Sequence, residues 1–250
     1  MKHRSLLAIP LLLAASACLD EAPTSVEPQF SRADAATGEA DAASYRVTIH
    51  NLTEGQPLTP PLAVTHRQAI SIFQVGEPAG FGVQQVAENG NLTPLVESLQ
   101  TERHAKDWRI TQGPTLPPVL PGEMVQFDID TERGAKYLSF ISMLICTNDG
   151  FTGTDSARLP RDVGASVTLH TAGYDAGTEI NTEDFADLVP PCPALTGVES
   201  MEPGTGMSDP ALAENGVVRI HPGIDGDADL DPDIHGWTDP VARIEIERIG

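Results

Sequence analysis

The chain has 250 residues, with 15 lysines and arginines against 36 aspartates and glutamates, a formal net charge of −21. Such a surface repels nucleic acid and anionic lipid and attracts cations. Beyond the first 17 residues no stretch approaches the roughly 20 consecutive apolar residues of a membrane-spanning helix, so an integral helical membrane protein is excluded.

Residues 1–17 have the plan of an export signal: Lys2 and Arg4, the short apolar run LLAIPLLLAA, then small residues. Two cleavage readings compete. Ala15-Ser16-Ala17 fits ordinary secretion, whereas Ala15-Ser16-Ala17-Cys18 resembles the lipobox of bacterial lipoproteins, with Ala15 where leucine is usual. The three cysteines, Cys18, Cys146 and Cys192, favour the lipobox: lipid on Cys18 leaves an even pair to bridge in an oxidising compartment. The expectation is an exported lipoprotein at the outer membrane or cell surface, and a periplasmic or secreted protein if Cys18 is not lipidated. Residues 18–43 are rich in Pro, Ala, Thr and acids, too apolar-poor to order themselves, and read as a lipid-anchored flexible tether. Residues 44–250 remain as one β-rich domain.

Tyr45 to Leu52 alternates, placing Tyr45, Val47 and Ile49 on one face of a half-buried strand. LAVTH is a short strand after a Pro-rich break. FGVQQVAENG carries Val83, Val86 and Ala87 at helical spacing with Gly90 at the C-cap, and Thr93 to Leu99 adds a helical turn or two. MVQFDID alternates, AKYLSFISMLIC is almost wholly apolar, and ASVTLH alternates again. GVVRIH near residue 218 is a further strand, and in PVARIEIERI the residues Ala242, Ile244 and Ile246 face one way. Short strands punctuated by 22 glycines and 21 prolines predict an all-β antiparallel sandwich with long loops and one or two short helices. Residues 195–250 read either as the last part of that sandwich or as an appendage.

Two strands run into loops that carry acids. LIC leads into TNDGFTG with Asp149, and ASVTLH leads into TAGYDAGTE with Asp175 and Glu179. Loops leaving strands at one end of a sandwich cluster, so Asp149, Asp175 and Glu179 are the candidate ligands of one cation. Calcium is the expected guest, because it takes six to eight oxygens in flexible geometry. The bland alternative is a pair of solvated turns. Cys146 and Cys192 lie close to these loops, and the bridge expected between them would steady both.

The segments SFISMLICTNDGFTG and GYDAGTE resemble the amino-terminal domain of the spondins, and GQPLTPPLAVTH at residues 55–66 resembles the bacterial exported version. The likeness covers residues 45–190. It implies a C2-like β-sandwich that binds calcium through three carboxylates, which fall on Asp149, Asp175 and Glu179. The hook departs from the family in having Tyr174 for tryptophan and a glutamate as its last acid. Spondin-type domains belong to matrix and adhesion proteins, so the resemblance implies a non-catalytic module that binds an envelope or extracellular protein or glycan.

The rival reading is a metal-dependent hydrolase built on residues 221–239, where His221 and His235 stand among six aspartates. Asp225, Asp227 and Asp229 imitate the start of an EF-hand loop, but Leu230 and Gly236 occupy the positions of its glycine and its bidentate glutamate. A second, looser cation site or a solvated loop are both compatible with that pattern. No nucleophile elbow, HExxH, Walker loop or CxxC is present. Trp108 and Trp237 read as packing residues or sugar platforms.

Overall fold

The structure is a computed structural model that describes residues 42–102, 118–132, 134–202 and 204–250, and the backbone of 105–110. The export signal, most of the tether, Cys18 and the Trp108 side chain lie outside the described residues. The described elements, in chain order, are β1 (Ala43–Asn51), β2 (Leu62–His66), α1 (Phe81–Asn89), α2 (Thr93–Thr101), β3 (Ala105–Ile110), β4 (Met124–Thr131) and β5 (Tyr137–Met143). They continue with β6 (Gly150–Arg158), β7 (Ser166–Thr171), β8 (Gly173–Asp175), α3 (Pro191–Thr196), β9 (Arg219–Ile220), α4 (Pro232–His235) and β10 (Ala242–Arg248).

The strands form two antiparallel sheets, one in the order β4-β1-β10-β7 and the other β3-β2-β5-β6-β8-β9. Alternation in β1 and β10 does what a period of two must when one face is buried. Val47 stands opposite Ile246 and Phe127, and Ile49 opposite Ile244 and Val125, so the middle of the first sheet's inner face is apolar. Against it pack Ala63, Leu138, Phe140 and Ala157 of the second sheet, giving the inter-sheet core. The apolar run of β5 follows from burial on both sides. Leu138 and Phe140 enter the inter-sheet core, while Ile141 turns to the outer face with Leu62, Val64 and Phe151. There α1 and α2 cover the sheet with Val83, Val86, Leu95 and Leu99. Each fully buried side chain of this size contributes about 1.5–3 kcal/mol relative to exposure.

β10 sits between β1 and β7. The last strand of the chain therefore completes the first sheet, and residues 195–250 are part of the sandwich at least through this strand.

Four expectations need correction. The described residues hold four short helices rather than one or two, α3 and α4 being pieces of six and four residues that start at prolines. GFTG, taken as part of the acidic loop, opens β6, and GYD of the hook is β8 paired to it. GVVRIH shrinks to the two residues of β9. AKDWRI, not expected as a strand, is β3, an edge strand of the second sheet.

Candidate cation site

The turn after β5 is held from behind by Gln56, which is wholly buried. Its amide nitrogen donates to the carbonyls of Cys146 (3.2 Å) and His235 (2.6 Å), and its amide oxygen accepts from Cys146 N–H at 3.0 Å. The next three side chains all work on backbone. Thr147 Oγ1 donates to Leu144 O and accepts from Gly150 N–H, and a Cβ at position 150 would strike the Thr147 side chain. Asn148 Oδ1 accepts from Thr182 N–H, with a longer contact from Glu183 N–H, and its Nδ2 donates to Thr182 Oγ1. Asp149 Oδ2 accepts from Thr178 N–H (2.7 Å), Glu179 N–H (3.0 Å) and Thr178 Oγ1 (3.2 Å).

The two acidic loops are thus stitched together. Gly150 pairs with Asp175 in the β6–β8 register, and Ala176 N–H donates to Asp149 O. Gly177, at φ 69°, makes the turn between Asp175 and Glu179, with the 216–217 backbone pressed so close that no side chain fits.

The three acids differ in what they still lack. Asp175 is fully buried and well supplied: Oδ1 accepts from Gly177 N–H, and Oδ2 accepts from Asn181 Nδ2 and Arg219 Nη2, both at 3.0 Å. Arg219, which also forks onto Glu214 at 2.7 and 2.9 Å, was not foreseen as part of the site. Glu179 is 4% exposed, and its Oε1 accepts from Asp209 N–H at 3.0 Å. Asp149 is 0% exposed, and its Oδ1 has no hydrogen-bond partner. A buried carboxylate oxygen without a donor or a cation costs its full desolvation, on the order of 1–3 kcal/mol or more.

The electrostatics record the same deficit. Burial, reinforced by the Asp175 charge and only partly offset by the Thr178 and Glu179 donors, pushes the Asp149 carboxyl up to about 6. Burial pushes Glu179 up to about 7, with the Asp209 N–H opposing and the charges of Glu88, Asp149 and Asp187 adding to it. The predicted ligands therefore share one acidic region. Their ligating oxygens are not all drawn within 4.8 Å of one another; among the described residues the group that meets that distance is Cys146, Cys192 and His235.

That group is a disulfide with a histidine beside it. Cys146 is bonded to Cys192, tying the turn before Asp149 to α3 across 46 residues. His235 accepts from Asp231 N–H through Nδ1 (2.9 Å) and meets Thr196 Oγ1 through Nε2 (3.2 Å). His221 accepts from Gly223 N–H through Nδ1 at 3.0 Å, so the neutral ring carries its proton on Nε2, which is buried and without an acceptor. Burial holds the ring well below its ordinary value, at about 4. The two imidazoles are thus committed separately, one against Trp237 and the other against Phe185.

The loop that imitates an EF-hand is built the other way round. The backbone N–H groups of Asp225 and Gly226 both donate to the Glu183 carboxylate at 2.7 Å, and those of Asp229 and Leu230 donate to the Glu183 carbonyl. Asp229 in turn accepts from Phe185 N–H. Inward-pointing N–H groups around an anion leave no place at that centre for a metal ion, and the loop is not simply solvated either.

No curated protein matches the chain. The Spondin_N family matches residues 54–186, just over half of the chain, a stretch that contains α1, the Asp149 turn and the whole 175–179 hook. β1 and β10 lie outside the matched residues, although the first sheet is complete only with them. The two stitched loops, the sandwich that carries them and this match together place the chain in the spondin amino-terminal domain family.

Proposed function

We propose that this domain is a calcium-dependent, non-catalytic binding module, anchored to the cell envelope through lipid on Cys18 and presenting its loops to a protein or glycan partner. The observation that carries the reading is Asp149 Oδ1, buried and unpartnered between two loops that bring Asp175 and Glu179 alongside it. A hard oxygen donor of this kind suits calcium better than a softer metal. Asp149 and Glu179 would hold the ion, with Asp175 the third acid, its Oδ2 shared with Arg219. Bound calcium would supply the positive charge that lets the 147–150 and 175–183 segments stay closed at neutral pH. The envelope placement is supported by the family, whose domains are typically extracellular, and no helix among the described residues is long and apolar enough to cross a membrane.

Calorimetric titration of the metal-stripped mature chain with calcium tests the reading. Saturable binding of one ion, abolished in D149N, is the expected outcome. Equal heats from the wild type, D149N and a buffer blank would end it. The hydrolase alternative loses its support because the Nδ1 atoms of His221 and His235 accept from backbone N–H groups of their own loop, His235 Nε2 meets Thr196 on α3, and His221 Nε2 carries that ring's proton.

A further inference from the structure

The site has a neighbour that neither acidic loop contains. Glu88 lies in the last turn of α1, is 4% exposed, and shares that helix with the buried Val83, Val86 and Ala87. Carboxylates at such depth ordinarily have their lone pairs filled or are paired with a cation. Glu88 Oε1 accepts from Gln84 Nε2 at 2.9 Å, one turn back along the helix, and Oε2 is buried with no partner.

A set of hydrogen bonds ties α1, which carries Glu88, to the acidic loops. Gln85 and Asn89, its neighbours on the helix, both donate to Ser208 Oγ, at 2.9 and 3.0 Å. The following residue, Asp209, donates its N–H to Glu179 Oε1. Ser208 is thus held by the helix turn that carries Glu88, and the next residue by Glu179, and the charge of Glu88 bears on the Glu179 carboxyl. Glu179 in turn is next to Asp149 through its own backbone N–H. Two buried carboxylate oxygens without a partner, Asp149 Oδ1 and Glu88 Oε2, thus belong to acids whose charges both bear on Glu179, although the ligating oxygens of the three are not all within 4.8 Å of one another. Among the described residues no ion pair reaches Glu88, Asp149 or Glu179, whereas Asp175 has Arg219.

We infer that Glu88 is a fourth acid of the cation site, coordinating the same divalent ion as Asp149 and Glu179. The inference rests on the calcium reading above and adds a ligand from the helix layer. Coordination there would fasten α1 to the loops and join the outer face of the second sheet to the site. Calcium affinity rises with the number of charged ligands, so a fourth carboxylate has a measurable consequence.

The test is calcium titration of the metal-stripped chain in the wild type, E88Q, E88D and E97Q, with melting midpoints in chelator recorded for each. Gln keeps the size of Glu88 and an oxygen for Gln84, Asp keeps the charge but withdraws the oxygens by one methylene, and Glu97 is an exposed acid on α2. E88Q and E88D are expected to bind calcium about tenfold or more weakly, as loss of a ligand or of its orienting partner typically does, while E97Q matches the wild type. E88D covers the case in which E88Q folds poorly. Wild-type binding with E88Q and E88D unchanged overturns this inference and leaves the calcium reading intact. A wild type that binds no calcium overturns both.

Discussion

Replacing Asp149 with asparagine separates a structural fastener from a cation ligand. The asparagine oxygen can still accept from the Thr178 and Glu179 N–H groups, so the stitch between the loops survives in weakened form. Losing the charge costs up to about 1 kcal/mol for each of the three donors to Oδ2. Removing a fully buried charge whose Oδ1 has no partner offsets this, so without metal the variant should melt within a few degrees of the wild type. Calcium changes the comparison. At a hundred times its dissociation constant a ligand that binds only the folded state adds about 2.7 kcal/mol. For a domain of this size each kcal/mol moves the midpoint by about 2–4 °C, so the wild type should gain roughly 5–11 °C. D149N should gain less than a degree or two. The assay is differential scanning calorimetry in chelator and then in excess calcium, with magnesium as the control for ionic strength. If D149N gains as much as the wild type, Asp149 is only a fastener and the reasoning from its orphaned oxygen is wrong.

Three other outcomes follow from named contacts. Cys192→Ser removes a cross-link closing 46 residues, worth about 4 kcal/mol on the chain-entropy account, and should lower the urea-denaturation stability by about 3–4 kcal/mol; a loss under 1 kcal/mol would show that the bridge does not constrain the unfolded chain. Burial lowers the His235 ring from its ordinary 6.5 even though Asp231 and Glu183 favour the charged form, so the unfolded chain takes up a proton there before the folded one. Stability from this group is complete above 6.5 and lost as pH falls below it, so the wild type should lose stability relative to His235→Gln between pH 7.5 and 5, as read from urea midpoints; parallel curves would remove His235 from the acid response. Cys18→Ser should move the protein from the membrane fraction to the soluble exported fraction, and a wild type already soluble would refute the lipid anchor.

Much of the sandwich was legible because its strands obey simple periods. The alternation in β1 and β10 and the apolar run of β5 each follow from which faces are covered, and Gly90 ends α1 in the left-handed conformation its position suggested. β6 was hidden because it carries two glycines, two threonines and an aspartate instead of an alternating pattern. Gly153 is needed where the Phe140 carbonyl approaches, and Ser156 has a positive φ beside the irregular register with β5. β8 and β9 are too short to show a period at all. The meeting of the Asp149 and Asp175–Glu179 loops was legible from two strands feeding acidic turns. The partners were not, since Arg219 lies 44 residues from Asp175, and α1, which carries Glu88, is tied to Glu179 through Ser208 and Asp209, residues remote in sequence from both. The acidic 225–230 stretch misled for a related reason: its aspartates suggest a cation, but the groups turned inward are N–H donors, and the anion they hold comes from Glu183.

A crystal of the mature chain grown with calcium and measured for anomalous scattering tests the central claim most directly. A peak about 2.3–2.6 Å from Asp149 Oδ1 with a Glu179 oxygen in the same coordination shell is the predicted result. Well-ordered loops with no such peak, and a water or nothing at Asp149 Oδ1, would contradict it.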